Sequence, residues 1–179
     1  MSKKFAVNEY VTADDIKRIR KELKTEFAQL VGSSKPTIER WEKSDSKIKG
    51  PIALLVEMLG RNTDYVIDLE VPDKELPVRM WYMYKDKACT LIDVDEVKKI
   101  VRIKNYVDNV MFTAFGNNTA PSIDDYNYFL ESRCFPKTRD KMKLELERLD
   151  VPFYDPYMII EKTQGRMAED DFWIRIEND

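Results

Sequence analysis

Gly32-Ser33-Ser34-Lys35-Pro36-Thr37-Ile38-Glu39-Arg40-Trp41-Glu42-Lys43-Ser44 joins a helix stop to a helix start and sets the architecture of the N-terminal part. Gly32 ends one helix and Ser33-Ser34 supplies a cap for the next, in whose first turn Pro36 is tolerated. Ile38 and Trp41 lie three residues apart, so both point into a helical bundle. The opposite face then carries Pro36, Glu39, Arg40 and Lys43 at i, i+3, i+4 and i+7, flanked by Lys35 and Thr37. Upstream, Thr12 and Asp15 have capping-box spacing, with Val11 and Ile16 placed as a hydrophobic staple. Ile16, Ile19 and Leu23 make the apolar stripe of a first helix, and a short second helix runs from about Thr25 through EFAQLV. Downstream, Pro51 opens a fourth helix that Gly60 is expected to end. The expected core is Ile16, Ile19, Leu23, Phe27, Leu30, Ile38, Trp41, Leu54, Leu55 and Met58.

Beyond this bundle the pattern changes. RNTDYVIDLEVPDKELP (61–77) is polar, acidic and broken by Pro72 and Pro77, the composition of a connection. VRMWYMY and ACTLID flank Lys85-Asp86-Lys87 as a hairpin. KKIVRIKN reads as a third strand, and VMFTAF, before Gly116, as a fourth. Ser122 caps another helix, Pro136 begins one over KTRDKMKLELERL, and Asp155-Pro156 begins one that stops at Gly165. DFWIRI is a closing strand or extended segment. The reading is a mainly α N-terminal helix-turn-helix bundle followed by a small α+β domain. Its parts are a DNA-binding domain (1–62), a linker (63–75) and an interaction or dimerisation domain (76–179).

Composition narrows the chemistry. The 179 residues include two cysteines, Cys89 and Cys134, and no histidine. That set removes most zinc sites, every histidine triad and most histidine-based acid–base catalysis; no catalytic site, metal or cofactor is expected, and the chain reads as non-enzymatic. Contiguous carboxylates at Glu169-Asp170-Asp171 suit a solvated turn better than a metal. Cys134 sits between cationic residues but lacks a histidine partner and reads as structural. No apolar run approaches the roughly 20 residues that span a bilayer, and MSKKFAVNEY lacks a signal-peptide core, so a cytoplasmic location without membrane contact is expected. Residues 1–62 hold 13 Lys+Arg against 9 Asp+Glu, whereas the remainder holds 17 against 24. A basic piece joined to an acidic one suggests two modules with different partners.

The cationic helix face suits duplex DNA. Arg40 has the geometry to grip a guanine edge, Glu39 to accept from a cytosine amino group, and Lys47 and Lys49 to meet backbone phosphates. GSSKPTIERWEKS followed by GPIALLVEML resembles the Xre/Cro-type helix-turn-helix regulators, in the variant found in antitoxin-type repressors. The resemblance covers residues 13–60 and implies that Ser34, Lys35, Pro36, Thr37 and Arg40 occupy the DNA-reading positions. The chain departs from that family at Lys24-Thr25-Glu26-Phe27, where the family's phosphate-binding glutamine is absent. The C-terminal segment, with its Arg-x-x-Pro-x-x-Arg turn and terminal Asp-x-x-Trp-Ile, is similar to an accessory module found beside HipA-like kinases. These resemblances imply an autoregulatory repressor or antitoxin of a mobile genetic element, dimeric on an operator in double-stranded DNA. The C-terminal domain would bind a toxin, itself or a Cas-type nuclease. The alternative is an inhibitor of a nucleic-acid-binding enzyme, such as an anti-CRISPR carrying its own helix-turn-helix autoregulator, because an acidic surface can occupy a basic groove.

Overall fold

The structure, a computed structural model, describes residues 8–23, 27–45 and 47–177. The chain divides into two compact units, Met1–Val71 and Pro72–Asp179. Among the described residues there are eight α-helices and six strands in two sheets. The chain is therefore mixed α/β, which corrects the expected mainly α bundle followed by a small α+β domain. Strand pairing is present in both halves, and the C-terminal half is built on a four-stranded sheet.

The N-terminal unit runs β1 (Tyr10–Val11), α1 (Ala13–Leu23), α2 (Phe27–Leu30), α3 (Lys35–Lys43), β2 (Ile48–Lys49), α4 (Pro51–Arg61) and α5 (Thr63–Asp68). The expected start of the second helix at Thr25 lies outside the described residues. The capping box at α1 forms as spaced: Thr12 N and Oγ1 donate to Asp15 Oδ2 at 2.9 and 2.7 Å, and Asp15 N donates back to Thr12 Oγ1 at 3.3 Å. Those bonds, the backbone one foremost, hold the Asp15 carboxyl below its ordinary value. Val11 and Ile16 are both buried in the same cluster, as a staple requires.

β1 and β2 pair antiparallel, Tyr10 opposite Lys49 and Val11 opposite Ile48. This ribbon ties the segment before α1 to the loop after α3. Gly50 leaves it at φ 91°, a backbone that side-chain-bearing residues avoid, and so turns the chain into α4. The core is Ile16, Ile19, Leu23, Phe27, Ile38, Val56 and their neighbours. Three expected core members are exposed instead: Leu30, Leu54 and Met58. α4 turns Ala53, Val56 and Leu59 inward, a stripe one position away from the larger side chains. Gly60 lies inside α4 rather than after it, and a Cβ there would meet Ile19 Cδ1 at 2.7 Å. Its smallness thus permits close approach of α1 and α4. Where a linker was expected from residue 63, α5 forms and buries Val66.

The C-terminal unit contains β3 (Val78–Tyr84), β4 (Lys87–Asp95), β5 (Ile100–Asn105), α6 (Ile123–Ser132), α7 (Met142–Leu149), α8 (Pro156–Thr163) and β6 (Phe172–Ile176). The sheet order is β5-β4-β3-β6, antiparallel throughout. VMFTAF, expected as a strand, is a 3-10 turn at Val110–Phe112 that Asn109 caps by accepting from Met111 N at 3.1 Å. The fourth strand is β6. The helix expected from Pro136 begins at Met142, after a left-handed Lys141. One sheet face carries Met80, Tyr82, Ile92 and Ile174 against Tyr126, Phe129, Ile159 and Ile160. The other carries Trp81, Met83 and Leu91 with Tyr106 and Trp173 beside them. Burial on both faces explains why β3 and β4 read as near-continuous apolar runs rather than as clean alternation.

Candidate nucleic-acid interface

α3 is anchored before it is available for recognition. Ser34 caps it, its Oγ accepting from Thr37 N at 3.3 Å and lying 2.9 Å from Thr37 Oγ1. Ile38 is buried and Trp41 half-buried against the core, which turns the rest of the helix outward. Lys35, Pro36, Glu39, Arg40 and Lys43 are exposed. Arg40 and Lys43 form no ion pair with any other described residue. The two hydroxyls assigned to reading, Ser34 and Thr37, are thus engaged with each other and with the backbone. Arg40 and Lys43 remain the cationic donors on the outward face.

Glu42 would sit badly beside phosphate; the fold turns it off the outward face of α3, toward α1 and the cleft between them. Its side chain is 11% exposed, and Arg20 Nε of α1 lies 3.0 Å from its Oε1, an ion contact without hydrogen-bond alignment. The acidic residue left on the outward face is Glu39, the one assigned to a cytosine amino group.

Lys43 also lines a polar cleft of about 550 Å³ between the end of α3 and the start of α1, together with Lys17, Glu42, Asp45 and Lys47. Lys47 leaves this cleft toward the ribbon, where its ammonium stands 4.0 Å from the centre of the Tyr10 ring. Lys49 is exposed on β2 opposite Tyr10. The structure therefore brings Arg40, Lys43, Lys47 and Lys49 along one path from α3 to the ribbon. Tyr10 and Lys17 were not singled out from the sequence; a two-residue strand has no periodicity to signal it.

In the C-terminal unit the cationic residues nearest Cys134 are engaged in structural contacts. Arg133 is buried and donates to both carboxylate oxygens of Asp170, at 2.7 and 3.0 Å, and to the carbonyls of Gly165 and Phe172 at 3.0 and 2.9 Å. Lys137 pairs with Glu131 at 2.6 Å. The first arginine of the Arg-x-x-Pro-x-x-Arg turn and the aspartate of Asp-x-x-Trp-Ile are thus partners in one structural clamp. Both cysteines are buried, and burial pushes the Cys134 thiol up to about 12. Among the described residues no helix is long and apolar enough to cross a membrane. No family model matches the chain, and neither a curated protein nor a solved structure matches it.

Proposed function

We propose that the chain is a sequence-specific, DNA-binding transcriptional regulator of the repressor or antitoxin type, cytoplasmic and non-enzymatic. α3 reads an operator in the major groove, and the C-terminal unit binds a protein, either a toxin or a second copy. The observation that carries this reading is the outward face of α3. A capped helix presents Arg40 and Lys43 unpaired, while the neighbouring carboxylate of Glu42 is held inward by Arg20. The resemblance of residues 13–60 to Xre/Cro-type readers supports the same assignment.

The two cations have different tasks. Arg40, mid-helix, reaches a base edge, so Arg40→Ala costs about 1–3 kcal/mol and relaxes preference at one base pair. Lys43, at the C-terminal end and on the cleft, meets phosphate, so Lys43→Ala weakens all sequences alike and lowers the salt slope by about one unit. Fluorescence anisotropy on the chain's own promoter and on scrambled duplex, at several salt concentrations, separates these effects. A wild-type chain with no preference for its promoter, or an Arg40→Ala chain with unchanged preference, refutes the reading.

A further inference from the structure

The ribbon of β1 and β2 buries little surface of its own. β1 and β2 are two residues each, and only Val11 is buried among the four. What the ribbon does achieve is placement. It sets the Tyr10 ring under the Lys47 ammonium at 4.0 Å, with Lys49 directly across the ladder from Tyr10. A cation resting on a ring face keeps its outward N–H donors exposed, and the contact restricts an otherwise freely rotating side chain. Lys47 belongs at the same time to the wall of the polar cleft that Lys43 shares with the reading face of α3.

We propose that the ribbon and cleft form a backbone-phosphate clamp for duplex DNA, with Lys47 and Lys49 as its phosphate contacts and Tyr10 as the positioning residue that holds Lys47. The clamp rests on the DNA-binding reading of α3 and deepens it. It adds a sequence-independent grip continuous with Lys43, just beyond the groove that Arg40 reads. The cleft itself is lined by Asp14, Glu42 and Asp45 as well as by the lysines, which favours a backbone passing over the lysines rather than an anion sinking into the cleft.

The test uses the full chain and a random-sequence duplex, with affinity measured from low to high salt. Lys47→Ala makes the slope of log K against log salt shallower by about 0.9, equivalent to about eightfold weaker binding at 0.1 M if the two lines meet at 1 M. Tyr10→Leu keeps the strand and loses the ring, and weakens every sequence about two- to fivefold. Tyr10→Phe restores that loss. In the Lys47→Ala background Tyr10→Leu has no further effect, because Tyr10 acts only through the lysine. Additive losses from the two substitutions, or an unchanged slope in Lys47→Ala while the wild type binds DNA, overturn the clamp alone. A wild type that binds no duplex at low salt overturns the reading of α3 along with it. Indole N–H spectra of each variant confirm that Trp41 keeps its native environment, so a folding defect is not mistaken for a lost contact.

Discussion

Replacing Asp170 by Asn removes the charge that neutralises a buried arginine. Arg133 is 7% exposed, and the guanidinium makes four bonds in all, two of them to Asp170. The carbonyls of Gly165 and Phe172 continue to accept after the substitution, so the cation is not wholly abandoned. Removing one partner of a buried pair costs about 3–5 kcal/mol. With half of the bonds retained and the Asp170 side chain 32% exposed, the expected loss lies at the lower end, about 3 kcal/mol. It falls on the C-terminal unit, because Arg133 ends α6 while its acceptors sit in the loop that delivers β6 to the sheet. The three indole N–H resonances report this in one urea titration. Trp173 donates to the Lys85 carbonyl at 2.7 Å and Trp81 to Glu177 at 3.0 Å, both in the C-terminal unit, whereas Trp41 belongs to the N-terminal one. The Trp81 and Trp173 midpoints shift together to lower urea in Asp170→Asn, and the Trp41 midpoint stays. Acid provides a second check. Asp170 is held below its ordinary value, first by the hydrogen bond from Arg133. A carboxylate depressed in the folded state stabilises above its unfolded pKa of about 3.9, and that stability is lost as pH falls through the lower folded value. The wild type therefore loses C-terminal stability on acidification below about pH 4, and Asp170→Asn loses less of it. Equal midpoints for wild type and variant, or the same acid dependence in both, refute the clamp.

Gly60→Ala places a methyl 2.7 Å from Ile19 Cδ1, and the overpacking cost of about 1–3 kcal/mol, offset by about 1 kcal/mol of gained helix propensity, gives a modestly earlier Trp41 transition. Ile19→Val, which removes that Cδ1, recovers part of the loss in the double variant; no recovery refutes the close-approach role. Cys89 and Cys134 are buried with thiol pKa values raised by burial, so Ellman's reagent labels neither in the native chain and both after denaturation. Rapid native labelling of Cys134 contradicts its structural role.

Local signals were legible and long-range ones were not. The capping box at Thr12, the cap at Ser34, the hairpin around Lys85-Asp86-Lys87 and the start of α8 at Asp155-Pro156 each lie within a few residues of sequence, and each appears in the structure. The Arg133–Asp170 clamp spans 37 residues, and β6 joins β3 from across three intervening helices. The 110–115 segment has strand composition, yet Asn109 offers its side chain to the Met111 backbone and closes a turn before pairing begins. In α4, hydrophobicity favoured Leu54 and Met58, whereas the helix turns Ala53, Val56 and Leu59 inward, in a rotation that also brings Gly60 against Ile19. At the candidate interface, Arg40 and Lys43 followed from helical spacing alone. The hidden pairing of Glu42 and the role of Tyr10 depended on contacts between elements.

On the proposed reading, the geometry also limits what one N-terminal unit can discriminate. Pro36 has no donor to offer, and the hydroxyls of Ser34 and Thr37 are engaged in the cap. Phosphate contacts from Lys43, Lys47 and Lys49 would raise affinity for every sequence equally. Base-specific discrimination would then rest chiefly on Arg40 and Glu39 in the middle of the face, with Lys35 at its flank, about 1–3 kcal/mol for each well-made pair. Specific regulators exceed their own non-specific binding by about 4–10 kcal/mol. Two such contacts on one unit, about 2–6 kcal/mol together, reach only the lower part of that range. Two units on a two-fold operator double the specific term, whereas the same lysines add equally to competing sites. The restricted reading face thus favours paired half-sites, and it assigns to the C-terminal unit a task that α3 cannot perform, holding two readers at a fixed spacing.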